Sequence, residues 1–363
     1  MLALVPFLLA YLALQIWQTA VLFKYSDKLQ AQPATWPEIT IMVAARNEEA
    51  NLEKCLKALC DLQYPKDKVK ILIGNDQSTD RTQAIALLFQ SNYENIKLID
   101  IQDDLTGLKA KARVMAQLDK HATGEFYLVT DADVVVKPTW ASTMVRHMDS
   151  ITGVASGTTM VTGNQIGDQM QGIDWAYFMG LLNVISYSGV PATAVGNNMI
   201  IRADAYWQTG GYGRIKFSIT EDYKLYDEVC KLGWKWNNIM TPEVLAYSKA
   251  TIGLLPLLHQ RKRWLSGGRD LPWYWWIFFG VFGLYYFLLP IAMVLYPLVT
   301  IPIALAKFTL QNIQIARIFK CVDEPKPSIL KLLIYEFYLF AITILTALFS
   351  ISPLKTIWKG RKY

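Results

Sequence analysis

The stretch VTDADVVV, residues 129–136, is an apolar run that two aspartates, Asp131 and Asp133, interrupt. Two carboxylates spaced i, i+2 at the end of a strand can share one divalent cation. Hard cations such as Mg²⁺ prefer carboxylate oxygens and often keep phosphate oxygens as further ligands. The alternative is a pair of turn or capping aspartates, which are common after strands. The stretch therefore predicts a buried strand that ends either at a metal site or in a polar turn.

The residues before this stretch alternate short apolar strands with helices. Strands are predicted at Ile39 to Ala44, at Val69 to Ile73, over 95–102 and over 125–136. The helices predicted between them are one with Leu52, Leu56 and Leu59 on a single face, one from about Ser78, and one over 109–124 that Gly124 ends. Strands that alternate with helices indicate an α/β fold with a mostly parallel sheet and helices on both faces.

Polar clusters follow three of these strands: ARNEE after the first, NDQSTD after the second and TDAD at the fourth. Because ligands bind beyond the carboxyl ends of the strands in such sheets, the clusters are predicted to converge on one site. Asp76 lies in its loop and could accept a hydrogen bond from a ligand, and Asn47 and Glu48 could act similarly. Under the alternative, Glu48 is an N-terminal helix residue that the helix dipole favours.

Two further motifs carry candidate residues with a structural alternative. Lys109, in GLKAKA, could neutralise a phosphate or be a solvated helix lysine. Glu221 and Asp222, in TED, include a possible general base for a hydroxyl group. The alternative for TED is a helix start, with Thr220 as the N-cap and two acidic residues in the first turn.

The composition divides the chain into polar and apolar regions. The 363 residues are 53% hydrophobic and only 18% charged, whereas about a quarter of the residues in a soluble domain are charged. Residues 1–23 and most of 273–352 are nearly free of charge, and 36–270 has an ordinary charge density. We therefore expect a soluble domain over 36–249 that is held between membrane segments.

The N-terminal apolar segment, 1–24, is predicted to be a membrane anchor, because about 23 residues at ~1.5 Å each can cross a ~30 Å hydrocarbon core. A cleaved signal peptide is the alternative, but the segment has no positive n-region and no A-x-A site, and its apolar run is too long. Lys24 and Lys28 follow directly. Positive residues favour the cytoplasmic side, so the soluble domain is expected in the cytoplasm, at the inner membrane if the source is bacterial.

The C-terminal region, 273–352, is predicted to contain two or three membrane helices. Residues 273–306 are long for one crossing and short for two, and we favour a single crossing. Residues 329–352 form another crossing, which Lys331 and Glu336 dilute, and a basic tail over 353–363 follows. The basic and aromatic segment 250–272 is expected to lie on the membrane surface as an amphipathic segment.

The positive charge of the chain gathers near the membrane ends, most densely in QRKRW, residues 260–264. Arginines can bind a diphosphate through two parallel hydrogen bonds, and Trp264 could stack on a sugar or a lipid head. The alternative is an edge that binds lipid headgroups. The net charge of +6 forms no stripe and no nucleic-acid motif is present, so the lipid bilayer, and not nucleic acid, is the expected partner. The four cysteines lack metal-ligand spacing.

In their order along the chain, VAARNEE, the aspartate of NDQSTD, the lysine of GLKAKA, DAD, TED and QRKRW resemble family-2 glycosyltransferases. The likeness is to the membrane-integrated branch, which includes cellulose, chitin and hyaluronan synthases and ceramide glucosyltransferases. Each motif alone is weak, and the ordered set over about residues 40–270 is specific. The resemblance implies a GT-A fold, a UDP-sugar donor, Mg²⁺ or Mn²⁺ as cofactor, and inversion at the transferred sugar.

The resemblance also implies roles for the residues that bind the donor. Asp76 would recognise the uracil or the ribose, with help from Asn47 and Glu48, and Lys109 would lie near the nucleotide. Asp131 would face the nucleotide sugar and, together with Asp133, would bind the metal ion.

On the acceptor side, the resemblance makes Asp222, with Glu221 beside it, the base that deprotonates the acceptor hydroxyl. The residues implied to line the acceptor entrance and hold the diphosphate are Gln260, Arg261, Arg263 and Trp264. Asn197 and Asn198, in GNNMIIR, match the family less sharply.

The acceptor is expected to be a membrane lipid, because relatives that secrete polymers usually need more membrane helices to form a channel. A processive polysaccharide synthase with a glycan acceptor is the alternative, since QRKRW also occurs there. A non-catalytic membrane scaffold is a third interpretation, which the presence of every acidic position disfavours.

Overall fold

A seven-stranded sheet forms the centre of one of two units into which the chain divides. The computed structural model describes residues 4–102, 107–355, 357–358 and 361–362. The sheet unit comprises Ser26–Met160 and Ile185–Lys249, and the helical unit comprises Met1–Tyr25, Val161–Val184 and Ala250–Tyr363. The domain predicted over 36–249 is thus interrupted, because 161–184 groups with the helices at the two ends of the chain.

The sheet is mostly parallel in its first half and mixed in its second. Its strands are β1 (Ile39–Ala45), β2 (Val69–Asn75), β3 (Ile96–Asp100), β4 (Phe126–Asp131), β6 (Thr152–Ser156), β8 (Asn198–Arg202) and β9 (Lys235–Asn238). They lie in the order β3-β2-β1-β4-β8-β6-β9. Strands β1 to β4 pair in parallel, and β8 runs antiparallel to both of its neighbours. A small sheet contains β5 (Val135–Val136), β7 (Thr159–Thr162) and β10 (Ala246–Lys249).

Apolar residues of the central strands and of the flanking helices bury each other in one core. The helices of the sheet unit are α2 (Leu52–Cys60), α3 (Thr82–Asn92), α4 (Ala110–Leu118), α5 (Trp140–Arg146), α7 (Ala203–Gln208) and α8 (Glu221–Lys231). Leu52, Leu56 and Leu59 are all buried against the sheet, as their spacing predicts. This packing of a helix face onto a parallel sheet fixes the edge at which β1, β2 and β4 end.

The fourth predicted strand is shorter than 125–136. Strand β4 ends at Asp131, where the Val134 amide donates to the Asp131 carbonyl oxygen at 3.1 Å and so closes a turn. Val135 and Val136 then pair with β10 in the small sheet. Within this apolar run the chain therefore passes from the central sheet to the small sheet. Both aspartates of the D-x-D pair lie at the turn between them.

Two predicted helices also differ at their ends. Helix α3 begins at Thr82 rather than near Ser78, because the Asp80 carboxylate accepts hydrogen bonds from the Thr82 amide and hydroxyl at 2.9 and 2.5 Å. Helix α4 ends at Leu118 and continues as a 3-10 turn, Asp119–His121. Gly124 has φ of +95°, and a Cβ there would lie 2.4 Å from the Glu38 carbonyl oxygen, so only glycine fits.

The helical unit contains four helices that are long and apolar enough to cross a membrane: α1 (Leu4–Lys24), α10 (Trp273–Leu295), α11 (Pro297–Cys321) and α12 (Ile329–Ile351). It also contains most of α6 (Ile166–Tyr187), the helix α9 (Leu254–Gly267), and a terminal hairpin of β11 (Ile357–Trp358) and β12 (Arg361–Lys362). The region 273–352 thus has three helices.

The single crossing favoured for 273–306 is replaced by two helices that meet at Tyr296. Tyr296 has φ −140° and ψ 54°, outside the helical region. Proline disfavours helical geometry in the residue before it and fits the first turn of the next helix, so Pro297 ends α10 and begins α11. Helix α11 then runs to Cys321, well beyond the predicted end at 306.

Polar side chains of α11 join it to the neighbouring helices of this unit. The Lys307 ammonium donates to the Glu336 carboxylate at 2.6 Å and to the Tyr286 hydroxyl at 2.7 Å, so that one lysine connects α10, α11 and α12. Gln314 of α11 donates to the Gln15 carbonyl oxygen of α1 at 3.0 Å. Such polar contacts between apolar helices hold them in one register.

Candidate active site

The D-x-D pair lies at the carboxyl end of β4, and each aspartate has a defined contact. The Asp131 carboxylate accepts a hydrogen bond from the Lys111 ammonium at 2.5 Å. The Asp133 carboxylate accepts one from the Ser248 hydroxyl of β10 at 3.4 Å. The Asp131 side chain is 36% exposed, so its carboxylate is open to a ligand as well as paired.

Asp222 stands at the start of α8, and its carboxylate is oriented by backbone amides. One oxygen accepts from the Gly196 amide and the other from the Tyr223 amide, both at 2.8 Å. A Cβ at position 196 would lie 2.8 Å from the Cβ of Asp222, which explains the glycine just before β8. Because Thr130 pairs with Asn198 in the sheet register, this contact brings Asp222 to the edge where β4 ends.

Lys111 connects the D-x-D pair to the TED motif. Besides Asp131, its ammonium donates to the Gly196 carbonyl oxygen at 2.8 Å and lies 3.9 Å from the Glu221 carboxylate. Burial by itself lowers the pKa of Lys111, but the carboxylates of Asp131, Glu221 and Asp222 outweigh it and raise that pKa above its ordinary value. Three carboxylates thus surround one ammonium group, and the charge around Lys111 is negative in sum.

The loops after β1 and β2 are joined through the predicted donor-binding residues. The Asn47 side-chain oxygen accepts from the Thr79 amide at 2.9 Å, and Asn47 has φ of +51°, which asparagine tolerates better than most residues. The Glu48 amide donates to the Thr82 hydroxyl at 2.7 Å, and its carboxylate accepts from Asn51 at 2.8 Å. The bonds to Thr79 and Thr82 hold the two loops side by side at the carboxyl edge.

Asp76 is buried and paired with arginine. The Arg113 guanidinium donates to the Asp76 carboxylate at 2.5 Å, and the Arg46 guanidinium donates to the Asp76 carbonyl oxygen at 2.6 Å. Asp76 itself is only 3% exposed. The structure therefore places Asp76 at the predicted edge and gives it a cationic neighbour from α4.

The sequence pattern singled out Lys109 and missed Lys111 and Arg113. Lys109 is exposed and precedes the first residue of α4, whereas Lys111 and Arg113 lie inside that helix and face the carboxylates. The assignment of Lys109 to the nucleotide remains a prediction. A signal for the other two residues was available in the basic spacing KAKAR, but only the helix start shows which cation faces the sheet.

Asn197 and Asn198 have structural contacts. Asn198 is fully buried, and its side chain accepts from the Trp140 indole at 2.8 Å and donates to the carbonyl oxygens of Thr158 and Val244 at 3.0 Å. The Asn197 side-chain oxygen accepts from the Thr159 hydroxyl at 2.9 Å. Asn198 therefore ties β8 to its surroundings rather than offering its amide to a ligand.

The QRKRW segment lies on α9 in the helical unit, where Arg261 and Lys262 contact other helices of the unit. Arg261 pairs with Asp174 of α6, and Lys262 donates to the Ser352 carbonyl oxygen after α12 at 2.7 Å. Burial lowers the pKa of the Arg261 guanidinium, and the Asp174 carboxylate more than offsets this and raises it. Gln260, Arg263 and Trp264 are half-buried. The donor- and acceptor-side roles of this segment remain predictions.

The carboxylates at the end of β4 fit a metal ion that arrives with a diphosphate. Among the residues that the structure describes, no three His, Cys, Asp or Glu side chains are grouped to hold a metal ion alone. Mg²⁺ commonly binds through one or two carboxylates plus substrate phosphates and water. Burial first, and then Asp133 and Asp131, raise the pKa of the Cys55 thiol beneath them, as expected of an electronegative site.

Comparisons with known proteins identify the family of the chain. The glycosyl transferase family 2 model matches residues 40–210, and the glycosyl transferase family group 2 model matches residues 127–354. A β-monoglucosyldiacylglycerol synthase of Synechocystis is 30% identical over 254 residues, which are 68% of this chain and 51% of that protein. A poly-β-1,6-N-acetyl-D-glucosamine synthase of Staphylococcus aureus is 24% identical over 253 residues, 64% of this chain and 55% of that protein. The chain thus spans about half the length of the curated relatives it matches.

Solved structures support the fold. A mannosyltransferase of Pyrobaculum calidifontis, solved with GDP-mannose and Mn²⁺, superposes with a TM-score of 0.60 at 16% identity, covering 96% of this chain and 99% of that one. The predicted GT-A-like α/β fold is confirmed. Because the second family model covers more than half of the chain, over residues that include D-x-D, TED and QRKRW, the chain belongs to glycosyltransferase family 2.

Proposed function

We propose that this protein is a membrane-bound, inverting glycosyltransferase that moves a sugar from a UDP-sugar to a hydroxyl group of a membrane lipid. The observation that carries the proposal is the meeting of Asp131, Glu221 and Asp222 around Lys111 at the carboxyl edge of the sheet. Residues more than 100 positions apart in the sequence converge there. A sugar transferase needs acid-base and phosphate-binding groups together, and this edge supplies both.

The nucleotide would bind across the loops that follow β1 and β2. Their mutual hydrogen bonds through Asn47 and Glu48 fix the loop edges, and Asp76 between them would recognise the uracil or ribose. Arg113 and Arg46, which already bond to Asp76, would hold its carboxylate in place. Because the Asp76 carboxylate is already fixed in place, it loses little conformational entropy when the UDP-sugar binds.

The diphosphate would lie near Asp131, Asp133 and Lys111. When bound by the two aspartates, Mg²⁺ or Mn²⁺ would neutralise charge on the leaving UDP. Lys111 would contribute a fixed positive charge at the same edge, where it already balances part of the local negative charge. Fixed charges aimed at a developing negative group usually lower the barrier of such a reaction more than any other single effect.

Asp222 would act as the base. Its carboxylate would take the proton of the acceptor hydroxyl as that oxygen forms a bond to the anomeric carbon. The bond from this carbon to the phosphate oxygen breaks on the opposite face, UDP leaves with the electron pair, and an α-linked donor gives a β-glycoside. The amides of Gly196 and Tyr223 orient the carboxylate for this step. Glu221 faces Lys111 and would keep that ammonium in position.

A lipid acceptor is favoured by the four apolar helices and by the synthases of monoglucosyldiacylglycerol among the relatives. Diacylglycerol, with one free hydroxyl, is the acceptor class we propose. A glycan acceptor is the second candidate, because a synthase of poly-N-acetylglucosamine also matches at 24% identity. The sheet unit would lie in the cytoplasm, since Lys24 and Lys28 flank the end of α1.

The test uses the full chain in lipid nanodiscs, with Mn²⁺, diacylglycerol and a panel of radiolabelled UDP-sugars. We expect one discrete glycolipid with one donor, and loss of transfer by more than about 1000-fold in Asp222→Asn, with UDP affinity retained. If a ladder of long products forms without lipid, the acceptor is a growing glycan chain and the proposed lipid acceptor is wrong. Turnover by Asp222→Asn at the wild-type rate would remove Asp222 from the mechanism.

A further inference from the structure

Two adjacent residues of α6 contact two residues of the QRKRW segment on α9. The Asp174 carboxylate accepts a hydrogen bond from the Arg261 guanidinium. The ring of Trp175 lies against the ring of Trp264, with 5.1 Å between centroids and 37° between planes. The Arg261 guanidinium carbon is in turn 5.2 Å from the Trp264 ring centroid. Trp264 is therefore contacted by the Arg261 guanidinium, which Asp174 holds, and by the indole of Trp175.

Asp174 is also held from a third helix. Its second carboxylate oxygen accepts a hydrogen bond from the Tyr335 hydroxyl of α12 at 3.2 Å. Asp174 is 8% exposed and Tyr335 is fully buried. A buried carboxylate with both oxygens engaged has one allowed orientation, and its loss would leave the Arg261 charge buried without a counter-charge.

The helical segment that carries Asp174 is otherwise apolar. From Met170 to Leu182 its residues are mostly buried against the other helices of the unit, and Asp174 is the acidic residue of that stretch. Charged side chains are rarely buried among apolar ones, because an ionised group loses its hydration there. A contact that merely joined α6 to α9 could be made by apolar side chains at lower desolvation cost.

We propose that Asp174 is a positioning residue for the QRKRW segment: through Arg261 it holds the Trp264 ring in the orientation in which this segment takes part in sugar transfer. This inference rests on the proposed function. Asp174 itself would touch no reacting atom. Its effect passes through Arg261, whereas a residue that only stabilises the bundle would lower the folded fraction and leave the kcat/KM of the folded protein unchanged.

The experiment is a double-mutant cycle with Asp174→Asn and Arg261→Met in the full chain in nanodiscs. We measure kcat/KM for the UDP-sugar and, by calorimetry, the affinity for UDP. Asp174→Asn alone is expected to lower kcat/KM about 10- to 100-fold, the size of effect that follows when a catalytic arrangement shifts by about 1 Å. In the Arg261→Met background the same change should alter kcat/KM less than about twofold, because coupled residues are not additive.

Matched variants separate positioning from stability. Asp168→Asn makes the same chemical change in the first turn of α6, where Asp168 accepts from the Gln165 amide at 3.1 Å, and should leave kcat/KM unchanged. Asp174→Glu keeps the charge and should recover part of the lost activity. If Asp174→Asn does not fold, Tyr335→Phe replaces it in the cycle, because it removes one hydrogen bond to Asp174 and keeps the charge pair.

Additive effects of Asp174→Asn and Arg261→Met would overturn the inference, as would an equal loss in Asp168→Asn. Failure of the proposed function looks different: the wild-type chain would bind UDP and form no product with any donor. In that case the cycle on UDP affinity still decides the inference: coupled losses of affinity in chains that remain folded at the assay temperature support positioning, whereas a purely structural contact leaves the UDP affinity of the folded chains unchanged.

Discussion

The sheet unit and the helical unit use buried charge in opposite ways. At the edge of the sheet, Asp131, Glu221 and Asp222 surround the single ammonium of Lys111, so that negative charge is in excess around it. In the helical unit, Lys307 meets Glu336 and Arg261 meets Asp174, one opposite charge to each. Excess charge next to water can be neutralised by a metal ion and a substrate, whereas charge inside an apolar bundle must be matched by the protein itself.

The largest effect is expected when the matched pair is broken. Lys307→Met leaves Glu336 among apolar helices and removes the contact to Tyr286, so the free energy of unfolding should fall by about 3–5 kcal/mol. Thermal unfolding in detergent micelles measures the loss. The double variant Lys307→Met, Glu336→Gln should recover most of it, because no charge is then left unpaired. If Lys307→Met alone were as stable as the wild type, the Lys307–Glu336 pair would not be needed to neutralise charge in this unit.

A smaller effect, of about 100-fold in kcat/KM, is expected when Lys111 is replaced. Lys111→Met removes the positive charge that holds Asp131 and Glu221 together, so the carboxylates would repel both each other and the incoming diphosphate. Steady-state kinetics with the UDP-sugar measure the change. Lys109→Met is the matched control, since Lys109 is exposed two positions earlier. A larger loss in Lys109→Met than in Lys111→Met would restore Lys109 as the residue near the nucleotide.

The smallest effect concerns Asp119, a buried carboxylate whose partner is neutral. The Tyr206 hydroxyl donates to it, and burial raises its pKa to about 6. The folded state then holds a proton that the unfolded state, with a pKa near 3.9, has lost, so this group makes the protein less stable as pH rises from about 4 to about 6. Asp119→Asn should match the wild type near pH 4 and exceed it by about 1–2 kcal/mol at pH 7.

Melting temperatures of the wild type and Asp119→Asn at pH 4.5 and pH 7 measure this difference. Asp204→Asn, which changes an acidic residue in the first turn of the nearby α7, serves as the control and should show no such trend. If the stability difference between the wild type and Asp119→Asn is the same at both pH values, Asp119 does not titrate between pH 4.5 and pH 7. Asp119 would then no longer serve as a third case beside the excess charge at the sheet edge and the matched charge of the helical unit.

Local patterns predicted the first half of the sheet unit because each strand and helix there follows its own periodicity. The strands β1 to β3, the burial of Leu52, Leu56 and Leu59, and the gathering of polar loops at one edge follow from such patterns. The GT-A fold implied by the ordered motifs is confirmed. The break at Tyr296 also had a local signal, Pro297, which a hydropathy window averages away.

Contacts between distant segments could not be read from local patterns. Lys109 and Lys111 are both lysines of the same motif, and local patterns do not distinguish them. Only the start of α4 at Ala110 decides which one faces Asp131. The end of β4 at Asp131 depends on the pairing of Val135 and Val136 with β10, more than 100 residues later. Asp174 had a sequence signal, a lone acid in an apolar helix, but its partner on α9 is set by packing.

The bond from Lys262 to Ser352 has a consequence for topology. It caps the carboxyl end of α12 with a cation, a favourable contact for a helix terminus, and so the last turn of α12 lies directly beside α9. The chain beyond Ser352 therefore emerges next to QRKRW, on whichever leaflet that segment occupies. A fluorophore attached at the C-terminus would therefore report whether the QRKRW segment lies on the outside or the inside of a sealed vesicle.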